Sequence, residues 1–202
     1  MIAVIDYGVG NLFSLKSSLQ AIGADAVVTR ERDCILQADH VILPGVGAFG
    51  DAARKLKETG MFDVVKEVAA KETPILGICV GMQLLFDESL EFGRHEGLGL
   101  IPGTVDAIEP RIGADLDVPH MGWNSLSFQK DSRLFADIPE HAFVYFVHSY
   151  AAFGCEPYVS ALTEYGIPLT AAVEKGNVYG TQFHPEKSGA TGLSILKNFC
   201  SL

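Results

Sequence analysis

The sequence predicts an α/β fold: a mostly parallel, doubly wound sheet with antiparallel additions in the C-terminal half. Short apolar runs alternate with helical stretches through the first half of the chain, the pattern of buried strands covered by helices on both faces. The second half instead contains successive strand patterns, with Lys175-Gly176-Asn177 as a turn between the last two. A hydrophobic fraction of 48% supports a full core and excludes a disordered chain.

The first strand is predicted over Ile2–Ile5, an apolar run that stops at Asp6. Asn11 is a suitable N-cap for a helix with apolar positions at 12, 15, 19 and 22, and Gly23 ends that helix. The remaining elements predicted in the first half are strands over Ala26–Thr29, His40–Leu43 and Ile75–Ile78, helices over 51–58 and 61–71, and a helix after Cys79 that includes Met82, Leu85 and Phe86.

The second half is predicted to add six strands and a closing helix. The strands cover 105–108, 123–128, 143–147, 158–163, 169–174 and 178–183, and the helix contains Leu193, Leu196 and Phe199. Because no linker or internal repeat interrupts this order, we expect a single domain over residues 1–202.

The charge and cysteine content exclude several classes of function. With 15 Lys and Arg against 25 Asp and Glu, the net charge is −10, which argues against a nucleic-acid partner. No signal peptide or membrane span is recognisable, so we expect a cytoplasmic protein. None of the four cysteines (Cys34, Cys79, Cys155, Cys200) has a zinc-site spacing. We therefore predict reduced thiols, no metal and no cofactor.

Cys79 is the best candidate for a nucleophile. It lies in Gly77-Ile78-Cys79-Val80-Gly81, between a predicted strand and a predicted helix. This is a nucleophile-elbow pattern with cysteine in place of serine, and the glycines allow the sharp turn. A helix N-terminus beside the thiol favours the thiolate. The alternative is a buried cysteine at the end of a core strand.

A catalytic cysteine needs a base, and the base needs an orienting group. His184-Pro185-Glu186 supplies an imidazole and a carboxylate after a predicted strand. If the backbone stays extended there, His184 and Glu186 point the same way, so Glu186 can orient the ring. The alternatives are a structural histidine with Glu186 capping the last helix, and His148 as the base.

Pro44-Gly45-Val46-Gly47 lies between a strand and a helix, where its backbone N–H groups could face an oxyanion. A competing interpretation is the dinucleotide-binding pattern G-x-G-x-x-G over 45–50. That interpretation is weakened because the motif follows the third strand rather than the first, and Pro44 precedes it.

Two motifs together identify a resemblance. Gly-Ile-Cys-Val-Gly-Met-Gln over 77–83 and His-Pro-Glu over 184–186 resemble the class I, or triad, glutamine amidotransferases. Four further segments, at 5–12, 44–47, 120–124 and 146–150, resemble the glutaminase subunits that serve histidine biosynthesis. The resemblance extends over essentially the whole chain.

The resemblance implies a role for each matching residue. Cys79 attacks the side-chain amide of glutamine, His184 activates the thiol and protonates the departing ammonia, and Glu186 orients His184. The N–H of Val80 and one from the segment around Val46 stabilise the oxyanion. The substrate-binding positions that the resemblance implies are Gly47, Gln83, Glu91, Ser149 and Tyr150. Without the resemblance, Glu91 would be interpreted as an ordinary surface acid.

Glutaminase chemistry also implies a partner, because one α/β domain leaves no room for an ammonia-using site. By resemblance the partner is a cyclase subunit, a (β/α)8 barrel, in a heterodimer whose products are imidazole glycerol phosphate and an aminoimidazole carboxamide ribotide. The candidate interface residues are Met121, Trp123, Asn124, Tyr145 and Lys187. Trp123 is alternatively a core residue of its strand.

Two other functions stay open at this stage. One is an amidotransferase subunit for another product, such as anthranilate, aminodeoxychorismate, guanylate or pyridoxal phosphate. The other is a regulatory module that kept the fold without activity.

Overall fold

The structure is a computed structural model that describes residues 1–202. The strands, in chain order, are β1 (Ile2–Ile5), β2 (Ala26–Thr29), β3 (His40–Leu43), β4 (Ile75–Ile78), β5 (Glu88–Ser89), β6 (His95–Glu96), β7 (Thr104–Ala107), β8 (His120–Ser125), β9 (Ser127–Phe128), β10 (Phe143–His148), β11 (Tyr150–Phe153), β12 (Val159–Glu164), β13 (Pro168–Lys175) and β14 (Val178–Thr181). The α-helices are α1 (Leu12–Ala21), α2 (Arg32–Leu36), α3 (Phe49–Glu58), α4 (Met61–Ala70), α5 (Val80–Gln83) and α6 (Gly189–Phe199). Short 3-10 helices cover Arg133–Phe135, Glu156–Tyr158 and Pro185–Lys187.

An eight-stranded sheet forms the centre of the fold, in the order β2-β1-β3-β4-β14-β13-β12-β9. The pairs from β2 to β14 are parallel, and the pairs beyond β14 are antiparallel. The predicted parallel sheet with antiparallel additions in the C-terminal half is therefore confirmed. β8 and β10 form a separate antiparallel pair, and β11, β7, β5 and β6 form a third sheet.

The core is continuous across the sheet and its helices, with 51 buried residues in one cluster. All four residues of β1 and of β4 are buried, as expected for strands covered on both faces.

No helix is long and apolar enough to cross a membrane. No group of three or more His, Cys, Asp or Glu side chains is arranged to hold a metal ion.

The helix predicted after Cys79 is much shorter than expected. α5 ends at Gln83. The Leu84 N–H still bonds four residues back, to the Val80 oxygen, but the N–H groups of Leu85 and Phe86 bond to carbonyls three residues back. The carbonyls of Leu84 and Phe86 accept hydrogen bonds from the N–H groups of Leu98 and Gly99. The 97–100 segment therefore makes the hydrogen bonds to these carbonyls that a longer helix would have made.

Three smaller predictions are corrected by the structure. The strand predicted over 123–128 is divided into β8 and β9, which belong to different sheets. The strand predicted to reach 183 ends at Thr181. Asn11 precedes α1 as predicted, but its side chain makes no capping hydrogen bond.

Candidate active site

A pocket of about 560 Å³ lies beyond the carboxyl ends of β3 and β4, with the segment after β14 in its wall. In doubly wound sheets, ligands bind in the crevice at this end of the strands. The residues that the sequence singled out and that line the pocket are Val46, Gly47, Cys79, Val80, Gln83, Glu91, Ser149, Tyr150, His184 and Lys187. His148, the alternative base, lines the pocket too, and sequence reasoning did not assign Phe92, Pro119 and Val147, which complete the lining.

Cys79 occupies a sharp turn between β4 and α5. Its φ is 55° and its ψ is −112°, a conformation that non-glycine residues adopt mainly at strained functional sites. A Cβ at Gly77 would lie 2.6 Å from the Gly81 oxygen, and a Cβ at Gly81 would lie 1.9 Å from the Leu43 oxygen. Both glycines are therefore required by close backbone packing, as the elbow pattern predicts.

His184 is held by Glu186. Its Nδ1 lies 2.8 Å from Oε1 of Glu186, and the two side chains are 2% and 3% exposed. Burial is the largest single influence on His184 and disfavours the charged ring. The neighbouring Cys79 and Glu186 side chains together outweigh it and raise the pKa of His184 to about 9. The imidazole at this position can therefore hold a proton beside the thiol.

The contact between His184 and Glu186 has a different origin from the one predicted. β14 ends before His184, and Pro185–Lys187 is a 3-10 helix rather than an extended segment. The tight turn, closed by the Lys187 N–H donating to the His184 oxygen at 3.0 Å, brings the carboxylate back to the ring. Glu186 does not cap α6, because Ser188 is the residue at that N-terminus.

The 44–47 loop packs directly on the elbow. A Cβ at Gly45 would lie 2.5 Å from the Gly81 nitrogen, and the Tyr7 hydroxyl donates to the Pro44 oxygen at 2.7 Å. Val46 and Gly47 thereby reach the same pocket as Val80. Gly47 has a φ of +87°, a backbone conformation that glycine adopts without strain.

Packing explains two of the three glycines in the pattern over 45–50. Gly45 lies against the elbow, and a Cβ at Gly50 would lie 2.7 Å from the His95 ring. At Gly47, the glycine that would lie against a pyrophosphate in the dinucleotide interpretation, no protein atom lies within 4 Å of an added Cβ. This position opens instead into the pocket that contains Cys79 and His184.

Glu91 is only 8% exposed, so it is not an ordinary surface acid. Its Oε2 accepts a hydrogen bond of 2.6 Å from the Phe49 N–H, the first residue of α3. This hydrogen bond holds the Glu91 carboxyl group in the pocket wall, at a position from which it can reach a bound substrate.

Gln83 is tied to the opposite wall. Its Nε2 donates to the Tyr150 oxygen at 3.1 Å and to Oε1 of Gln182 at 3.0 Å. Nε2 of Gln182 lies 3.8 Å from the Cys79 sulfur. These contacts connect the elbow to the segment around Ser149 and Tyr150.

His148 also lines the pocket, but its environment is unsuited to a base. Its Nδ1 lies 2.8 Å from the Tyr150 oxygen and its Nε2 lies 3.0 Å from Nδ1 of His120. Burial lowers the pKa of His148 to about 3. Both ring nitrogens are therefore occupied, and this structure does not favour His148 over His184 as the base.

An exposed apolar face lies beside the pocket on β8 and β10. Met121 and Trp123 are 63% and 55% exposed, so Trp123 is not a core residue. Tyr145 is opposite Trp123 in the strand pair, and the Lys187 ammonium lies 5.9 Å from the Tyr145 ring centre. Asn124 differs from the other candidate interface residues because its side chain is directed to the opposite face of β8, where it contacts His120 and the Glu164 oxygen.

Comparison with known proteins agrees with this geometry. The family model for class-I glutamine amidotransferases matches residues 3–201. The chain is 51% identical to the imidazole glycerol phosphate synthase subunit HisH of Geobacter metallireducens over 98% of this chain and 96% of the relative. It is 52% identical to HisH of Rhodospirillum rubrum, over 98% and 97% of the two chains.

Solved structures share the fold at much lower identity. A glutamine amidotransferase crystal structure superposes with a TM-score of 0.76 at 18% identity, over 100% of both chains. The glutaminase domain of Trypanosoma brucei CTPS, with bound acivicin, gives a TM-score of 0.69 at 18% identity and covers 99% of this chain and 93% of that domain. The family match over nearly the full length shows that the chain belongs to the class I glutamine amidotransferases.

Proposed function

We propose that this chain is the glutaminase subunit of an imidazole glycerol phosphate synthase. The observation that carries the chemistry is the single pocket that contains Cys79 on a strained elbow and His184 held by Glu186. The choice of synthase is supported by the HisH relatives, which align with 98% of the chain at about half identity. The proposal treats residues 1–202 as one glutaminase domain and includes the cytoplasmic location that the sequence predicts.

In the proposed reaction, the Cys79 thiolate attacks the side-chain carbonyl carbon of glutamine. The C–N bond then breaks, His184 gives its proton to the departing nitrogen, and a thioester remains on Cys79. Water, deprotonated by His184, hydrolyses the thioester to glutamate and restores the thiol. Glu186 holds the ring in the orientation that both steps need.

The tetrahedral intermediates carry a negative oxygen that needs donors. We assign this task to the N–H of Val80, the first of α5, and to an N–H of the Val46–Gly47 segment. One such donor is worth about 3–4 kcal/mol, or a factor of 10²–10³ in rate. The positive φ of Gly47 supports a local rearrangement that presents this donor only in the active state.

Glutamine itself is held in the proposal by groups around the pocket. Glu91, fixed by the Phe49 N–H, pairs with the substrate ammonium group. The backbone around Gly47, Ser149 and Tyr150 and the amide of Gln83 complete the binding positions, and all of them line the pocket.

Ammonia is useful only if it reaches an acceptor without loss to bulk water. We propose that a cyclase subunit, a (β/α)8 barrel, docks as a heterodimer and receives ammonia through a channel. Met121, Trp123, Tyr145 and Lys187 form the proposed docking face, since they are grouped beside the pocket and two of them are large and exposed apolar side chains. Asn124 is outside this face, because its amide is engaged on the opposite side of β8.

The test is a reconstituted complex assayed with two nitrogen sources. The chain is mixed with a cyclase subunit and with the proposed ammonia acceptor, the ribulosyl phosphate intermediate of the histidine pathway. Formation of imidazole glycerol phosphate is then measured with glutamine or with ammonium salts. Cys79→Ala is expected to abolish the glutamine-dependent rate and to keep the ammonium-dependent rate. Cys34→Ser, in α2 and outside the pocket, is the matched control and keeps both rates.

Two results would contradict the proposal. Glutamine-dependent synthesis at the wild-type level in Cys79→Ala would remove the nucleophile assignment. If the chain hydrolyses glutamine but an active cyclase never makes product from this acceptor with glutamine, the chain is a subunit of another amidotransferase.

A further inference from the structure

A chain of four polar groups extends from the pocket wall into the interior behind it. His148 and His120 are 6% and 3% exposed. Nδ1 of His148 lies 2.8 Å from the Tyr150 oxygen, and Nε2 of His148 lies 3.0 Å from Nδ1 of His120. Nε2 of His120 lies 3.2 Å from Nδ2 of Asn124. The glutaminase chemistry proposed above uses neither histidine.

The partners determine where the protons are in this chain. The Tyr150 oxygen can only accept, so Nδ1 of His148 donates to it and Nε2 of His148 accepts from Nδ1 of His120. Nε2 of His120 then accepts from the Asn124 amide, whose second hydrogen is donated to the Glu164 oxygen at 2.8 Å. Every polar atom of both rings is satisfied with the rings neutral, and the low pKa of each ring, about 3 and about 4, agrees.

Aromatic packing fixes the second ring of this chain. The His120 ring is stacked between Phe146, with ring centres 4.8 Å apart, and Tyr165, with ring centres 4.1 Å apart. The Tyr165 hydroxyl donates to the Asp117 oxygen at 2.8 Å, which holds that ring in turn. His120 therefore has one orientation, and it presents its Nδ1–H to His148.

The hydrogen-bonded chain of side chains ends at a bend between two strands, and this bend lines the pocket. β10 ends at His148, β11 begins at Tyr150 in a different sheet, and Ser149 is the bend between them. The Tyr150 oxygen accepts from both His148 and Gln83. The N–H of Ile108 donates to the Ser149 oxygen at 3.1 Å. The histidine chain and Gln83 together hold this bend against the pocket.

We propose that His148 and His120 are positioning residues for glutamine. They fix the bend at Ser149 and Tyr150 so that its backbone faces the substrate, and they take no part in proton transfer. This inference rests on the proposed glutaminase function. It assigns to the His-Met-Gly-Trp-Asn segment a role in substrate binding from its buried face, separate from the docking role of its exposed face.

Steady-state kinetics of glutamine hydrolysis in the complex test the proposal. His148→Leu removes the donor to Tyr150, whereas His148→Asn keeps an amide donor in the position of Nδ1. We expect His148→Leu to raise the glutamine KM by roughly tenfold or more, equivalent to about 1.4 kcal/mol, with a smaller change in kcat. His148→Asn is expected to restore most of the wild-type KM. His141→Asn, on an exposed turn, is the matched control.

A second pair of variants covers the case in which His148→Leu does not fold. His120→Phe keeps the ring stack but removes the donor to His148, and His120→Asn restores a donor at the same position. The expected order of KM is His120→Phe above His120→Asn. Equal KM values in each pair, or a loss of kcat without a change in KM, would overturn the proposal. Absence of glutamine hydrolysis in the wild-type complex would instead count against the glutaminase function itself.

Discussion

His184 and His148 line the same pocket and are both almost fully buried, yet their surroundings give them opposite properties. His184 has a carboxylate on Nδ1 and a thiol nearby, and its pKa is raised to about 9. His148 has a carbonyl on one nitrogen and a neutral imidazole on the other, and its pKa is lowered to about 3. Burial disfavours the charged ring in both cases, so the partners make the difference.

The comparison shows how a base can be recognised among buried histidines. A ring that accepts and donates only to neutral groups is locked in one neutral form and serves as a structural element. A ring held by a buried carboxylate keeps a proton and can deliver it to a leaving group. The sequence offered both residues as candidates, and only their neighbours separate them.

The strongest test of this comparison is the loss of each ring. His184→Ala is expected to lower kcat for glutamine hydrolysis by a factor of about 10²–10⁴, the usual contribution of a positioned acid–base group. Glu186→Gln is expected to lower it less, because the amide still orients the ring but does not stabilise its charge. His148→Asn, which keeps its donor, should lower kcat far less than either. Equal and negligible effects of His184→Ala and Glu186→Gln would invalidate the comparison.

A smaller effect is expected from a substitution in the 44–47 loop, which also lines the pocket. This test concerns the site of Cys79 and His184 and not His148. Gly47→Ala introduces a side chain at a φ of +87°, where no atom lies within 4 Å of the new Cβ. The substitution therefore strains the backbone without a clash against protein atoms, and it adds a methyl group at a position that lines the glutamine pocket. We expect it to reduce the stimulation of hydrolysis by partner and acceptor more than it weakens subunit association.

Gly23→Ala is the matched control for this experiment. Gly23 has a φ of +74° with equally open space, and it lies at the end of α1, outside the pocket. Rates are measured with and without an acceptor analogue at saturating partner. A full activation ratio in Gly47→Ala would remove the proposed rearrangement of the Val46–Gly47 peptide.

The smallest expected effect is on stability as a function of pH. Because the pKa of His184 is raised in the folded state, its contribution to the free energy of unfolding is complete below about pH 6.5. That contribution is lost as the pH rises through about 9. Because the pKa values of His148 and His120 are lowered in the folded state, their contribution to the free energy of unfolding is present above about pH 6.5. It is lost as the pH falls toward about 3 for His148 and about 4 for His120. The difference in Tm between wild type and His184→Ala should shrink above pH 7, whereas the difference for His148→Asn should shrink at acid pH. Parallel Tm profiles for all three proteins would contradict both assignments.

The sequence predicted the parallel half of the fold well because its strands are buried runs between helices with clear periodicity. β5, β6 and β9 have two residues each, too few for any periodic signal. The length of α5 could not be predicted, since it is set by hydrogen bonds from Leu98 and Gly99, which follow α5 by more than ten residues in the chain.

The site was predicted where a local motif carries the geometry, as at Cys79 and its two glycines. The contact of His184 with Glu186 was predicted from an extended backbone, whereas it forms across the 3-10 turn over Pro185–Lys187 that follows His184. Phe92 and Pro119 also line the pocket. Each is next to a position that the resemblance indicated, Glu91 and the 120–124 segment, but neither residue type carried a signal of its own. His148 was visible as a histidine, but its partner His120 is 28 residues away and only the pairing of β8 with β10 brings them together.

The most direct test of the central claim is to map where a glutamine-like electrophile reacts. The wild-type complex is inactivated with the reagent, digested, and its cysteine peptides are analysed by mass spectrometry. The account predicts one label, on Cys79, with glutamine protecting against it, slower labelling in His184→Ala, and no label on Cys34, Cys155 or Cys200. Inactivation with Cys79 unmodified, or labelling of Cys79 at the same rate in His184→Ala, would contradict the account.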